Sequence, residues 1–292
     1  MFETIATAIA PVLLTALLGY FWTRHGRHFD STAMTLLVTD IGTPCLVFST
    51  YAKMTVPPAA FVATSAASVT ILACFLGFGA LALRVSGLSL RTYLPSMSFP
   101  NTGNLGLPLV LYAFGPEGMA FAIVFLTFTS IANFTIGQAI AAGEVNWHGI
   151  LRMPIIYAVI LGTGAAELHI DLPDWLSNTV SLLGSITVPL MLLMLGVSLA
   201  QLRVAALPRA FGLSLLRIGM GAGVGFGITA LFGLHGPARA ALVLQSSMPA
   251  AVFNYLFALR WKNQPEEVAG IVVVSTLITI VTAPALLYLL IE

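Results

Sequence analysis

Apolar positions along this chain fall into long blocks, separated by short polar or Pro/Gly-rich breaks. Blocks near the ~20 residues that a helix needs to cross ~30 Å of hydrocarbon predict membrane spans. Ten are predicted, at roughly 4–22, 31–50, 58–83, 92–113, 117–141, 148–166, 175–199, 206–232, 236–259 and 266–290. The expected fold class is an all-α integral membrane protein with almost no extramembrane domain.

Composition agrees: 58% of the 292 residues are hydrophobic, 8% are charged and mean hydropathy is +0.98, whereas a soluble domain carries about 25% charged residues. That leaves no room for an ATPase module, a nucleic-acid-binding domain or a soluble catalytic lobe. Glu3 precedes the first span and Arg24 and Arg27 follow it, the reverse of a signal peptide. This segment reads as a retained helix with its N-terminus outside. Alternating sides from there puts Arg24, Arg27, Arg84, Arg91, Arg152, Arg203, Arg209, Arg260 and Lys262 at cytoplasmic ends, and Lys53 and Arg239 outside. That bias satisfies the positive-inside rule and predicts a multi-pass protein of the cell's inner (plasma) membrane, both termini extracytoplasmic.

Chemistry-bearing motifs are scarce. Cys45 and Cys74 fall inside spans and read as small apolar packers. The histidines 25, 28, 148, 169 and 235 lie at or beyond span ends, with no metal-ligand spacing. Asp40 is the only carboxylate clearly placed within a span. A buried enzyme would need a nucleophile with its base, paired carboxylates or a metal cluster, so no enzyme and no cofactor or metal is expected, beyond a coupling proton or sodium ion.

The most telling stretch is Phe99-Pro100-Asn101-Thr102-Gly103-Asn104-Leu105-Gly106-Leu107-Pro108. Lipid cannot hydrogen-bond free N–H and C=O groups, so such a break must be buried in protein or line a watery cavity. It has a counterpart: Pro100 and Pro249, Pro116-Glu117 and Pro265-Glu266, and Thr127 and Thr276 are each 149 positions apart. The chain therefore divides into repeats, 1–143 and 144–292, each of five spans. An odd number of spans makes the second repeat enter from the opposite side, the inverted-topology arrangement of secondary transporters. Helices 4 and 9 would be discontinuous and cross near the midplane, directing half-helix N-termini with positive partial charge at one pocket suited to anions.

The pattern Pro-Asn-Thr-x-x-x-Gly-x-Pro-Leu at 100–109 resembles the fourth-span crossover of the auxin efflux carrier family, which includes plant PIN exporters and many bacterial permeases. Thr187-Val188-Pro189-Leu190, Leu195-Gly196-Val197-Ser198-Leu199 and Met248-Pro249-Ala250-Ala251-Val252-Phe253-Asn254 match as well. The short connection from Glu144 to Arg152 resembles the compact bacterial form. The resemblance implies a fold similar to the bile acid sodium symporters, with scaffold and transport domains, elevator-like movement of the latter, and a homodimer. It also implies organic anions such as malate, malonate or indole-3-acetate as substrates.

Candidate substrate-binding residues are Asn101, Asn104, Gln245, Asn254 and Arg217, with Pro100, Gly103, Gly106, Pro108 and Pro249 shaping the crossover. The amides could instead satisfy freed backbone groups or bond between helices. Asp40, near mid-span, is a candidate proton-coupling residue, or a static partner of Arg217. Asn133 and Gln138 could face the crossover. Glycines 219, 223 and 227 form a stripe suited to close packing or an interface, with 221 and 225 on a second face. The leading expectation is a secondary transporter of a small organic anion working by alternating access. Its alternatives are a sodium-coupled importer of bile-acid type and, with less support from the internal symmetry, an ion channel.

Overall fold

The computed structural model describes residues 2–52, 58–144, 153–168 and 170–291. Lys53, His148, Arg152 and His169 therefore lie outside the described residues, as does most of the connection from Glu144 to Arg152. Among those described, regular structure is helical throughout, apart from one isolated β-bridge.

The elements follow the apolar blocks. Helix α1 runs Phe2–Arg24, and α2 (Ser31–Leu37), a π-helical turn (Val38–Gly42) and α3 (Thr43–Ala52) make one rod. Asp30 caps that rod, its Oδ1 accepting from the Thr32 and Ala33 amides at 3.0 Å each, which satisfies two of the donors a helix start leaves free. Next come α4 (Pro58–Val85) and the short α5 (Leu90–Ser98). After a break the chain resumes as a π turn (Thr102–Gly106), α6 (Leu107–Ala132), a further π turn (Asn133–Gly137) and α7 (Gln138–Ala142). The later elements are α8 (Pro154–Glu167), α9 (Asp174–Ser185), α10 (Thr187–Gln201), α11 (Leu207–Leu231), α12 (Gly236–Ser246), α13 (Val252–Arg260) and α14 (Pro265–Ile291).

Seven stretches among the described residues are long and apolar enough to cross a membrane: Ile5–Arg24, Ser31–Ala52, Ala59–Val85, Thr102–Ala142, Asp174–Gln201, Leu207–Leu231 and Pro265–Ile291. The fourth is 41 residues long, yet it is not one rod. At Gly115 the backbone takes φ 64° and ψ −162°, a conformation that glycine adopts without steric cost. The chain folds back there, so that a Cβ on Gly103 would lie 3.8 Å from Leu126 and one on Gly118 would lie 3.2 Å from Val110. This hairpin corresponds to the end of the span expected at 92–113 and the whole of that at 117–141. The expected sixth span is represented by the 14 residues of α8, with 148–152 outside the described residues. The expected ninth is split into α12 and α13.

Because lipid is as apolar as leucine, helices here associate through close packing rather than through escape from water. Glycines supply that closeness. Gly196 of α10 rests on the Ala16 carbonyl of α1, Gly19 of α1 rests on the Leu193 carbonyl of α10, and Gly162 and Gly184 bring α8 and α9 against α3. Large apolar side chains such as Leu14, Leu18, Leu81 and Val281 remain exposed, as a lipid-facing surface requires. One end of the bundle, the end expected to be cytoplasmic, is tied by polar contacts. There Glu267 Oε2 accepts from Arg209 Nη1 at 2.7 Å and from the Tyr93 hydroxyl at 2.5 Å, while Arg91 Nη2 donates to the Ala142 carbonyl at 2.9 Å.

Candidate functional site

The two broken helices meet. Phe99–Asn101, between α5 and α6, and Pro249–Ala251, between α12 and α13, lie antiparallel, with Pro100 opposite Ala250. The Asn101 amide donates to the Pro249 carbonyl at 2.7 Å, and the Ala251 amide to the Phe99 carbonyl at 3.1 Å. Pro100 and Pro249 have no N–H to satisfy, and the outward amide of Ala250 donates to Ser275 Oγ on α14 at 3.1 Å. The backbone donors of the paired residues, which an apolar medium cannot satisfy, thus all find partners. The bridge pairs positions 150 apart, one more than the 149 that separates the two prolines in sequence. The prolines are therefore diagonal neighbours across the bridge rather than directly opposed.

A cavity of about 500 Å³ adjoins the crossing. Its inner wall is Pro100 to Asn104 together with Ala251 to Phe253, so the starts of two half-helices face it. Its outer wall is formed by α2 and its π turn, the start of α8 and the end of α10, through to Gln201 and Leu202. All three π-helical turns among the described residues reach this cavity, through Val38 to Asp40, Thr102 to Asn104, and Asn133 and Phe134. A π turn inserts one extra residue into a helix and re-aims the side chains around it, which is why such turns concentrate at functional sites.

The predicted residues divide between the cavity and the crossing. Asn101, Asn104 and Asp40 line the cavity, as do Pro100 and Gly103. Asn101 is only 4% exposed and its Nδ2 has no partner among the described residues. Asp40 is exposed to the cavity, and its Oδ1 accepts from Thr39 Oγ1 at 3.1 Å. It does not pair with Arg217; the only ion pair among the described residues is Arg209–Glu267. Gln245, Asn254, Arg217, Gly106, Pro108 and Pro249 do not line the cavity. Asn254 Nδ2 donates to the Phe99 carbonyl at 3.1 Å, so its amide serves the crossing itself. Gln245 is fully buried against Gly106, where any Cβ would run into its Oε1. Pro108 is the second residue of α6, which continues directly from the π turn Thr102–Gly106.

Asn133, which could face the crossover by its sequence position, also lines the cavity, whereas Gln138 does not; the remaining lining residues carried little sequence signal. Thr129 and Asn133 are 3% and 4% exposed, and Thr129 Oγ1 and Asn133 Oδ1 have no partner among the described residues. Thr43, Ser130 and Ser198 also line the cavity, and the aromatic part of its wall includes Phe134 and Phe253, whose rings pack edge to face with centroids 5.1 Å apart. No lysine, arginine or histidine is among the described lining residues; Asp40 and Tyr255 are the titratable ones.

Comparison with known proteins gives a consistent result. The profile described as "Membrane transport protein" matches residues 4–145 and 139–287. An uncharacterized transporter of Methanocaldococcus jannaschii is 27% identical, covering 91% of this chain and 92% of its own. Another from Methanothermobacter thermautotrophicus is 26% identical, over 94% and 95%. A Rhizobium meliloti protein that bears the provisional name of a malonate transporter is 24% identical, over 66% of this chain and 65% of its own.

Proposed function

The chain belongs to the membrane transport protein family, as a permease of auxin efflux carrier type, and we propose that it is a secondary transporter of a small organic anion, with its site at the crossing of α5–α6 and α12–α13. The observation that carries this reading is the cavity, where the starts of two half-helices and the unpartnered Asn101 amide converge. A helix start carries about half a unit of positive charge and free N–H donors, which suits a carboxylate. In this reading the repeats are 1–143 and 144–292, ten passes in all, with opposite orientation. One unit, built from α4–α7 and α11–α14, moves as an elevator against a scaffold of α1–α3 and α8–α10. The substrate lies between the two, and the protein assembles as a homodimer.

The charge of the wall narrows the substrate. Two carboxylates in one ligand would meet Asp40 with no basic side chain among the described lining residues to compensate, and like charges at close range in a low-dielectric site repel strongly. The cargo is therefore a singly charged carboxylate. Malonate, suggested by the name of the Rhizobium relative, would be carried with one carboxyl protonated. Asp40 is the proton-coupling group, since taking up a proton removes its repulsion toward the arriving anion. The test compares saturable proteoliposome currents driven by malonate and by its monomethyl ester across pH. The reading expects the monoester to be carried at least as well as malonate at neutral pH. A response confined to the dianion would refute it.

A further inference from the structure

Arg217 lies about midway along α11, is 0% exposed and has no carboxylate partner among the described residues. It cannot snorkel to a polar headgroup from such a position. An unpaired buried charge costs several kcal/mol, so other groups must hold this guanidinium in place. Nη2 donates to the carbonyl of Ser246 at 2.9 Å. Ser246 is the last residue of α12, immediately before the break. Its carbonyl belongs to the negative end of that half-helix, where a cation is stabilised by the helix dipole. On the other side Cζ stands 4.5 Å from the centroid of the Phe75 ring, within cation–π range.

Two further features show that the surrounding structure is shaped for this contact. Gly221, one turn beyond Arg217, lies so close to the Ser246 backbone that no Cβ would fit, and Gly225 meets Ser246 Oγ in the same way. Ser246 Oγ in turn donates to the Gly221 carbonyl at 3.0 Å. Phe75 reaches both breaks: its ring supports Arg217, and its carbonyl accepts from Ser98 Oγ, at the end of α5, at 3.4 Å. Nε and Nη1 of Arg217 have no partner among the described residues.

We propose that Arg217 is a positioning residue that acts as the crossing's built-in cation. Its guanidinium neutralises the carbonyl end of α12 at the break and ties α11 and Phe75 of α4 to it. Its effect on turnover rests on the transport function proposed above. The stabilising role of the charge does not. Anion site and fixed cation then occupy opposite ends of the half-helices: N-termini toward the cavity, the α12 C-terminus toward Arg217.

The experiment uses the full-length protein and its Arg217→Lys, Arg217→Met and Arg217→Ala variants. Malonate-driven current in proteoliposomes and apparent melting temperature in detergent are each recorded with and without millimolar guanidinium. Arg217→Ala should lose roughly tenfold or more in turnover, the factor expected from one hydrogen bond to a charged group. Guanidinium should raise both its turnover and its melting temperature while leaving wild type unchanged, and Arg217→Lys should retain more of both than Arg217→Met. An Arg217→Met protein as stable as wild type overturns the proposal, as does an Arg217→Ala protein that guanidinium leaves unaltered. Absence of current from wild type with every anion would refute the transport reading alone, because the melting arm still decides whether the fixed charge supports the crossing.

Discussion

Replacing Gly221 by alanine adds one methyl group at a place with no space for it. Its Cβ would overlap the Ser246 carbonyl oxygen and lie 3.0 Å from both the Ser246 carbonyl carbon and the Ser247 Cα. All of these are backbone atoms of the break, so no side-chain rotation relieves the overlap, and α11 must move away from α12. Overpacking of this kind costs about 1–3 kcal/mol. The same movement stretches the 2.9 Å contact from Arg217 to Ser246, and a hydrogen bond to a charged group contributes about 1.5–3 kcal/mol. Together they amount to roughly 2.5–6 kcal/mol, enough to lower the apparent melting temperature clearly. Gly223 is the internal control: it lies on the same helix, nothing approaches its Cβ position within 4 Å, and alanine is favoured over glycine in a helix by about 1 kcal/mol. Melting of the purified protein in detergent should therefore separate Gly221→Ala, destabilised, from Gly223→Ala, unchanged or stabilised. Equal melting temperatures would refute the close approach of α11 to the break.

Gly196→Ala should fail similarly at the α1–α10 contact, since its Cβ would overlap the Ala16 carbonyl and lie 2.7 Å from the Tyr20 nitrogen; the expected loss is about 1–3 kcal/mol, read by the same melting assay. Asn254→Ala removes the bond to the Phe99 carbonyl and should cost about 1 kcal/mol or more because that acceptor is buried, whereas Asn254→Asp, which puts an unpaired charge there, should be worse than alanine. Asp40→Asn should abolish the part of the pH response of transport that does not follow ionisation of the anion itself, with melting unaffected because Asp40 faces the cavity; an unaltered pH profile of current would exclude Asp40 as the coupling group.

Much of this architecture was legible because the membrane imposes simple rules. A long apolar block must be a helix, and helix breakers within one must find partners, so Pro100 and Pro249 marked the two breaks before any contact was known. Asn101 was legible for the same reason, as an amide beside a broken backbone. Arg217 was not placed correctly relative to the cavity, because sequence does not say which face of α11 meets α12. That is settled by Gly221 and Gly225, whose partners lie 18 to 26 residues away in sequence, on α12 and at its end. Gln245 and Asn254 looked equivalent to Asn101, yet neither lines the cavity: Asn254 bonds the Phe99 carbonyl, and Gln245 is buried against Gly106 with its amide unpartnered among the described residues. Thr129 and Ser130 gave no signal, since hydroxyls in apolar helices commonly bond their own preceding turn, as Thr127 does to the Ile123 carbonyl at 2.8 Å. The π turns were also hidden. One inserted residue leaves composition unchanged but alters which side chains, Asp40 and Asn133 among them, reach the cavity.

The central claim is that an anion binds where Asn101 and the two half-helix starts face the cavity. The direct measurement is current from wild type and Asn101→Ala in proteoliposomes on a solid-supported membrane, with malate, malonate, succinate and indole-3-acetate. Saturating, substrate-dependent current in wild type that is lost in an Asn101→Ala protein of normal melting temperature is the predicted result. Saturating current that persists unchanged in Asn101→Ala, or current that rises ohmically without saturation, would contradict the account.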